Sequence, residues 1–225
     1  MGSLIIGMVL MLSDLASAAS NFSAAEQALF VDKHLAKLQA PVTLHYSYHQ
    51  GGSLEAAFDD TIDVSLTAQA DGECCAASLR FFTGAHAMHP PNVEAAQGNP
   101  VLLYFLERDI REMERLTKGK AAYFRKRIRM AIFEGASLKS LSLLYRGRPV
   151  TVQEISITPY LDDPNRPRYE KLANKQYQFL LASAVPGGLY GILTRISGDS
   201  ADAPPLLAEE LLLDGAELAP SKRQP

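Results

Sequence analysis

The chain has 225 residues, of which 47% are hydrophobic, 21% charged and 8% aromatic, with a formal net charge of −3. Fifteen glycines and thirteen prolines are ordinary usage, which excludes collagen-like, low-complexity and wholly disordered classes. The length suits one domain, or at most two small ones, with a core large enough to fold without disulfides or metal. The near-neutral balance argues against nucleic acid as a partner.

The first eighteen residues read as an address. Leu4 to Leu12 is an apolar run of nine, followed by Asp14 and then by Ala16-Ser17-Ala18, an A-x-A cleavage pattern. Nine residues of helix cover about 13.5 Å, well short of a bilayer core of roughly 30 Å. Residues 1–18 are therefore expected to be a secretory signal peptide cleaved after Ala18, although no Lys or Arg precedes Lys33. The competing reading is an N-terminal core helix, which Asp14 and the small residues at 16–20 oppose. Export places the chain in the periplasm or outside the cell, with 19–198 as a single domain.

Ser23-Ala24-Ala25-Glu26 fits a capping box, and Val31, Leu35 and Leu38 form one apolar stripe, so a helix is expected over 23–39, ended by Pro41. The period then changes to two. Val42, Leu44, Tyr46 and Tyr48 alternate with polar residues, and Ile62, Val64, Leu66 and Ala68 do the same. Asp71-Gly72 is a strong hairpin signal, with a return strand from Glu73 to about Thr83. After a loop over 85–99, Asn99-Pro100 opens a helix whose Leu102, Leu106, Ile110 and Met113 share a stripe, with Gly119 expected at its C-cap. A second helix over 121–134 buries Phe124, Ile128 and Ile132. Two further hairpins follow, one turning at Arg146-Gly147 and one at Val185-Pro186-Gly187-Gly188, separated by a polar loop over 162–167.

The segment 199–225 has six acids against two bases and reads as an acidic, largely disordered tail, in which Leu206–Leu213 is expected to be a short docking helix. The fold class expected is α+β: a curved antiparallel sheet of about seven strands, in the order α-βββ-αα-ββ-ββ, with helices 101–117 and 121–134 on its concave face.

The two cysteines, Cys74 and Cys75, are adjacent and cannot cross-link distant segments. On a strand they read as two small apolar residues on opposite faces, with a vicinal disulfide as the alternative. His45 and His49 share a strand face about 13 Å apart, too far to ligate one metal directly, and no H-E-x-x-H is present. No nucleophile elbow, P-loop or dinucleotide fingerprint occurs, and no catalytic residue, metal or cofactor is assigned. Asp109 beside the buried stripe reads as a structural ion pair with Arg108, Arg125 or Arg129. Pairing it with a histidine would instead make a hydrolase-type site.

Lys118, Lys120, Arg125, Lys126, Arg127 and Arg129 fall within twelve residues with no acid among them. Such a run is ordinarily a solvated helix face. Lys118, Lys120, Arg125, Lys126 and Arg129 are also the candidate contacts to anionic headgroups or an acidic partner, because clustered cations offer charge-assisted bonds to phosphate. The aromatics, foremost Tyr46, Tyr48, Phe105 and Phe124, are ordinarily core. A curved sheet so lined and covered by helices also holds an apolar ligand, and these four are its candidate contacts.

Asn99-Pro100, Phe105-Leu106-Glu107-Arg108-Asp109, Tyr123-Phe124-Arg125 and Val185-Pro186-Gly187-Gly188 together resemble a group of exported, functionally uncharacterised Gram-negative bacterial proteins, over roughly 42–196. That group implies no activity. The order of elements is also similar to that of envelope lipid and lipoprotein carriers, an architectural likeness only. The leading reading is a non-catalytic periplasmic carrier for a lipid-like or apolar ligand, with peripheral membrane contact through the basic helix. The alternatives are an envelope accessory protein acting through protein contacts and an enzyme using Asp109.

Overall fold

The computed structural model describes residues 22–69, 74–200 and 203–218. The signal-peptide segment, the Asp71-Gly72 turn and residues 219–225 lie outside them.

Among the described residues nine strands form one antiparallel sheet: β1 (Val42–Gly51), β2 (Phe58–Ala68), β3 (Cys74–Phe81), β4 (Ser137–Tyr145), β5 (Arg148–Ile157), β6 (Gln176–Leu181), β7 (Leu189–Ile196), β8 (Leu207–Leu213) and β9 (Ala216–Glu217). Their spatial order is β3-β2-β1-β8-β7-β6-β5-β4-β9. The helices are α1 (Ala24–Glu26, continued by a π-turn over Gln27–Val31), α2 (Pro100–Thr117) and α3 (Ala121–Glu134).

The alternation in β1 is realised residue by residue: Leu44, Tyr46, Tyr48 and Gln50 are buried, while Thr43, His45, Ser47 and His49 face solvent. Register pairing puts Ile62 opposite Tyr46, Leu211 opposite Tyr48 and Ile192 opposite Leu211, so these share the face that α2 covers. On the opposite face Val152, Leu180 and Leu143 are buried as well. The cause is topological. β9 leaves β8 through the Asp214-Gly215 turn and pairs with β4, four strands away from β8, so this half of the sheet rolls up over those side chains. Among the described residues only Leu144 and Tyr145 of β4 pair with β9. The helices therefore do sit on one face, but the curl closes over the other one.

Three sequence expectations are corrected. The segment Leu206–Leu213 is not a helix: Leu207–Leu213 is β8, inserted between β1 and β7 near the middle of the sheet. Leu, Ala and Glu are good helix formers, and pairing on both sides overrides that preference. The first helix ends at Val31, because the following residues bond to a distant loop: Leu35 N–H donates to Gln97 O at 3.0 Å and Asn99 N–H to His34 Nδ1 at 3.1 Å. The cap of α2 is Lys118, at φ 57°, rather than Gly119. Gly119 is required for a different reason: a Cβ there would lie 2.7 Å from the Phe124 ring. Cys74 and Cys75 are joined as a vicinal disulfide at the start of β3.

Other expectations are met. The Ser23–Glu26 capping box is present, and Arg146 and Gly147 both take positive φ in the β4–β5 turn, as a tight hairpin with the sheet's twist requires. Asn99 caps α2 by accepting from Val101 N–H. Its amide also donates to Tyr46 Oη at 2.8 Å and Gly187 O at 2.9 Å, tying the helix to β1 and to the β6–β7 turn. Asn99→Ala is expected to cost about 2 kcal/mol, since it removes a cap and leaves buried acceptors unpaired; urea denaturation reads this directly.

Candidate functional site

Two arrangements are built on α2. On the sheet side, Arg108 and Asp109 meet Lys175 just before β6 and Glu209 on β8. Asp109, Lys175 and Glu209 are at most 2% exposed. Arg108 Nη1 lies 2.6 Å from Glu209 Oε1, which also accepts from Tyr48 Oη at 2.7 Å. The other Glu209 oxygen accepts from Thr194 and lies 3.4 Å from Lys175 Nζ. Lys175 and Tyr177 each donate to one oxygen of Asp109. The Arg108 guanidinium lies against the contacting rings of Tyr48 and Phe82, 5.2 and 5.3 Å from their centroids.

This cluster has two charges of each sign and a donor for each of its four carboxylate oxygens, the condition under which buried ions are tolerable. Burial would raise the Glu209 carboxyl, but Lys175 and Arg108 hold it far below the usual carboxylate range. Burial would lower Lys175, but Asp109 and Glu209 keep it above its ordinary value. Burial, reinforced by the neighbouring carboxylates, raises the Tyr48 and Tyr177 hydroxyls well above theirs. Glu209 and Lys175 are thus held charged and the Tyr48 and Tyr177 hydroxyls neutral near neutrality, and the arrangement works as a clamp between α2 and the sheet.

Asp109 is an ion-pair residue, as the sequence suggests, but its partner is Lys175 on the sheet side and not an arginine of α3. Four of the five histidines are engaged elsewhere: His34 with Ala28 O, His45 with Asp63, His49 with Asp59, and His86 stacked on Phe58. Among the described residues no three metal-ligating side chains gather.

The second arrangement lies on the solvent side of the helices. Where α1, α2 and α3 meet, an open groove of about 400 Å³ has a floor of Leu106, Ile110, Ile128 and Ile132 and walls of Phe30, Leu103 and Tyr104. Glu26, Glu107, Arg125 and Arg129 line its polar edge. Arg125 is held by Glu107, donating from Nη2 to both carboxylate oxygens at 2.9 Å and from Nε at 3.3 Å. Arg129 makes no ion pair among the described residues. Leu103 is 59% exposed, an unusual condition for a leucine within a helix whose other apolar residues are mostly buried.

The candidate residues fall in different places. Tyr46, Tyr48, Phe105 and Phe124 lie in the layer beneath the helices and are at most 2% exposed, with Tyr46 and Tyr48 bonded through their hydroxyls to Asn99 and Glu209. Of the basic run, Arg127 is turned inward to Asp163 at 3.0 Å and Pro159 O at 3.1 Å, tethering the polar loop. Lys118 and Lys120 border a small cleft beside Tyr169, while Lys126 and Arg129 share an outer cleft with Met130 and Phe133. The sequence reading passed over Phe30, Leu103, Tyr104 and Phe133. Their signal was available: Leu103 and Phe133 fall off the buried stripes of their helices.

No family model matches the chain, and no curated protein does. Among solved structures it is similar to the lipoprotein LppX of Mycobacterium tuberculosis, at 9% identity and TM-score 0.34, over 79% of this chain and 87% of that one. It is also similar to LprF from Mycobacterium bovis, at 12% identity and TM-score 0.33, over 89% and 96%. These neighbours are mycobacterial and give no support to a Gram-negative origin. Likeness at this level leaves function to the chain's own geometry. No helix among the described residues is long and apolar enough to cross a membrane.

Proposed function

We propose that this protein is a non-catalytic binding module for a lipid-like amphiphile, and that the ligand lies in the groove between α1, α2 and α3. The observation that carries this reading is the groove's composition: seven apolar or aromatic side chains bounded at one edge by an arginine, Arg129, that has no acidic partner among the described residues. An apolar floor removes a chain from water at roughly 25 cal/mol per Å² of buried surface, and a guanidinium at the rim supplies a charge-assisted bond to a carboxylate or phosphate. The volume is at the lower end of the ~300–1,000 Å³ typical of small-molecule sites, which suits a single chain rather than several. Carriage in the periplasm, as the leader-like N-terminus suggests, belongs to the same proposal.

The test is titration of the full chain with a fluorescent fatty acid kept below its micelle concentration, with native mass spectrometry for a co-purified ligand. Leu103→Asp is expected to weaken probe binding at least ~10-fold by placing a charge in the wall, and Arg129→Glu ~10-fold or more by setting an acid against the headgroup. A protein that binds no probe and purifies empty overturns the reading.

A further inference from the structure

We propose that the outward face of α3, at the mouth of this groove, docks the protein on an anionic bilayer surface. The inference rests on the reading of the groove as a lipid site and adds where the ligand is exchanged. At 100° per residue, Ala122, Lys126, Arg129, Met130 and Phe133 fall within an arc of about 100°, on the side of α3 opposite Phe124, Ile128 and Ile132. Phe133 is 51% exposed. Phe22, 53% exposed, precedes Ser23, whose hydroxyl donates to Ile132 O, so a second exposed ring stands at the same end of the helix.

The charges on this face are not cancelled as they are elsewhere on α3. Arg125 is paired with Glu107 and Arg127 with Asp163, whereas Lys126 and Arg129 make no ion pair among the described residues. Glu26, which lines the same cleft, is turned to Ser23 N–H in the capping box and keeps its charge, so two cations face one acid there. The cleft formed by Lys126, Arg129, Met130 and Phe133 adjoins the apolar groove, because Glu26 and Arg129 line both. Two cations outside any ion pair and the Phe133 ring on one helix face, with the Phe22 ring near its end, have the composition of an interfacial helix: the rings enter the headgroup boundary and the cations remain among the phosphates. A protein partner would also cover exposed apolar residues. The combination of flexible cationic side chains with protruding rings around a chain-sized groove favours the bilayer. Docked in this way, the groove opens toward the source of its ligand.

The experiment is sedimentation of the full chain with vesicles of phosphatidylcholine mixed with phosphatidylglycerol, against pure phosphatidylcholine. Binding is expected to the anionic vesicles only, and to weaken as salt rises. The variant Lys126→Glu/Phe133→Ser alters two exposed positions that do not line the groove. It is expected to reduce vesicle partitioning ~20-fold or more, while its affinity for the fatty acid probe stays that of the parent. Equal binding to both vesicle types, or vesicle binding retained by the variant, overturns the docking proposal whatever the probe does. Variant-sensitive binding to anionic vesicles without any probe binding upholds docking and removes the groove reading.

Discussion

A chain ended after Asp199 is expected to lose cooperative unfolding altogether. The truncation removes β8, and with it Leu207, Leu211 and Leu213, all buried. Three leucines at ~1.5–3 kcal/mol each already approach the ~5–15 kcal/mol that holds a typical domain together. The strand also bridges the two halves of the sheet: β1 pairs with it on one side and β7 on the other. Without it two apolar edges are exposed, and Arg108 and Lys175 lose the Glu209 carboxylate. The truncated chain should keep part of its far-ultraviolet circular dichroism, lose the near-ultraviolet signal and unfold in urea without a sigmoidal transition. A sharp transition with the parent's m-value would show that residues beyond Asp199 are dispensable, as the acidic composition of that segment suggests.

Lys175→Met is the single substitution with the largest expected cost, about 3–5 kcal/mol, because it leaves the Asp109 carboxylate buried beside a hydroxyl alone. Adding Asp109→Leu should recover much of the loss, since an apolar pair of similar volume replaces an ion pair with little penalty. Glu209 retains Arg108 in both variants. Urea unfolding of the two single variants and the double variant gives the coupling directly.

The same cluster sets the pH dependence. Glu209 is depressed in the folded state, so its contribution is present above its unfolded value of 4.5 and is lost as pH falls toward its folded value. Lys175 is raised, so its contribution is complete below 10.5 and is lost as pH rises through its folded value. The stabilisation from Glu209 and Lys175 is therefore expected to be constant between about pH 4.5 and 10.5, and that from Glu209 to decline on the acid side. In Lys175→Met that acid limb should be shallower, because one of the two cations holding Glu209 ionised has gone.

Local patterns in the chain were enough to place α2 and α3, the capping box, the Asn99 cap and the strands β1, β2 and β4 to β7. Each is written in a period of 3.6 or 2, or in a turn residue, and such signals act within a few neighbours. The α+β class with helices on one face followed from their order. The tertiary structure alone decided what depends on distant partners. β8 is a strand because two other strands hold it, although its Leu-Ala-Glu-Glu-Leu run has a helical preference. Asp109 is recognisable as a buried acid from its place beside the apolar stripe of α2, but its partners lie 66 and 68 residues along the chain, and only the seating of α2 on the sheet selects Lys175 and Tyr177 over the arginines of α3. The groove, likewise, is made where three helices meet, and no one of them encodes it. Short-range order can be read from side-chain periodicity, whereas pairing over such separations follows from packing the whole chain at once.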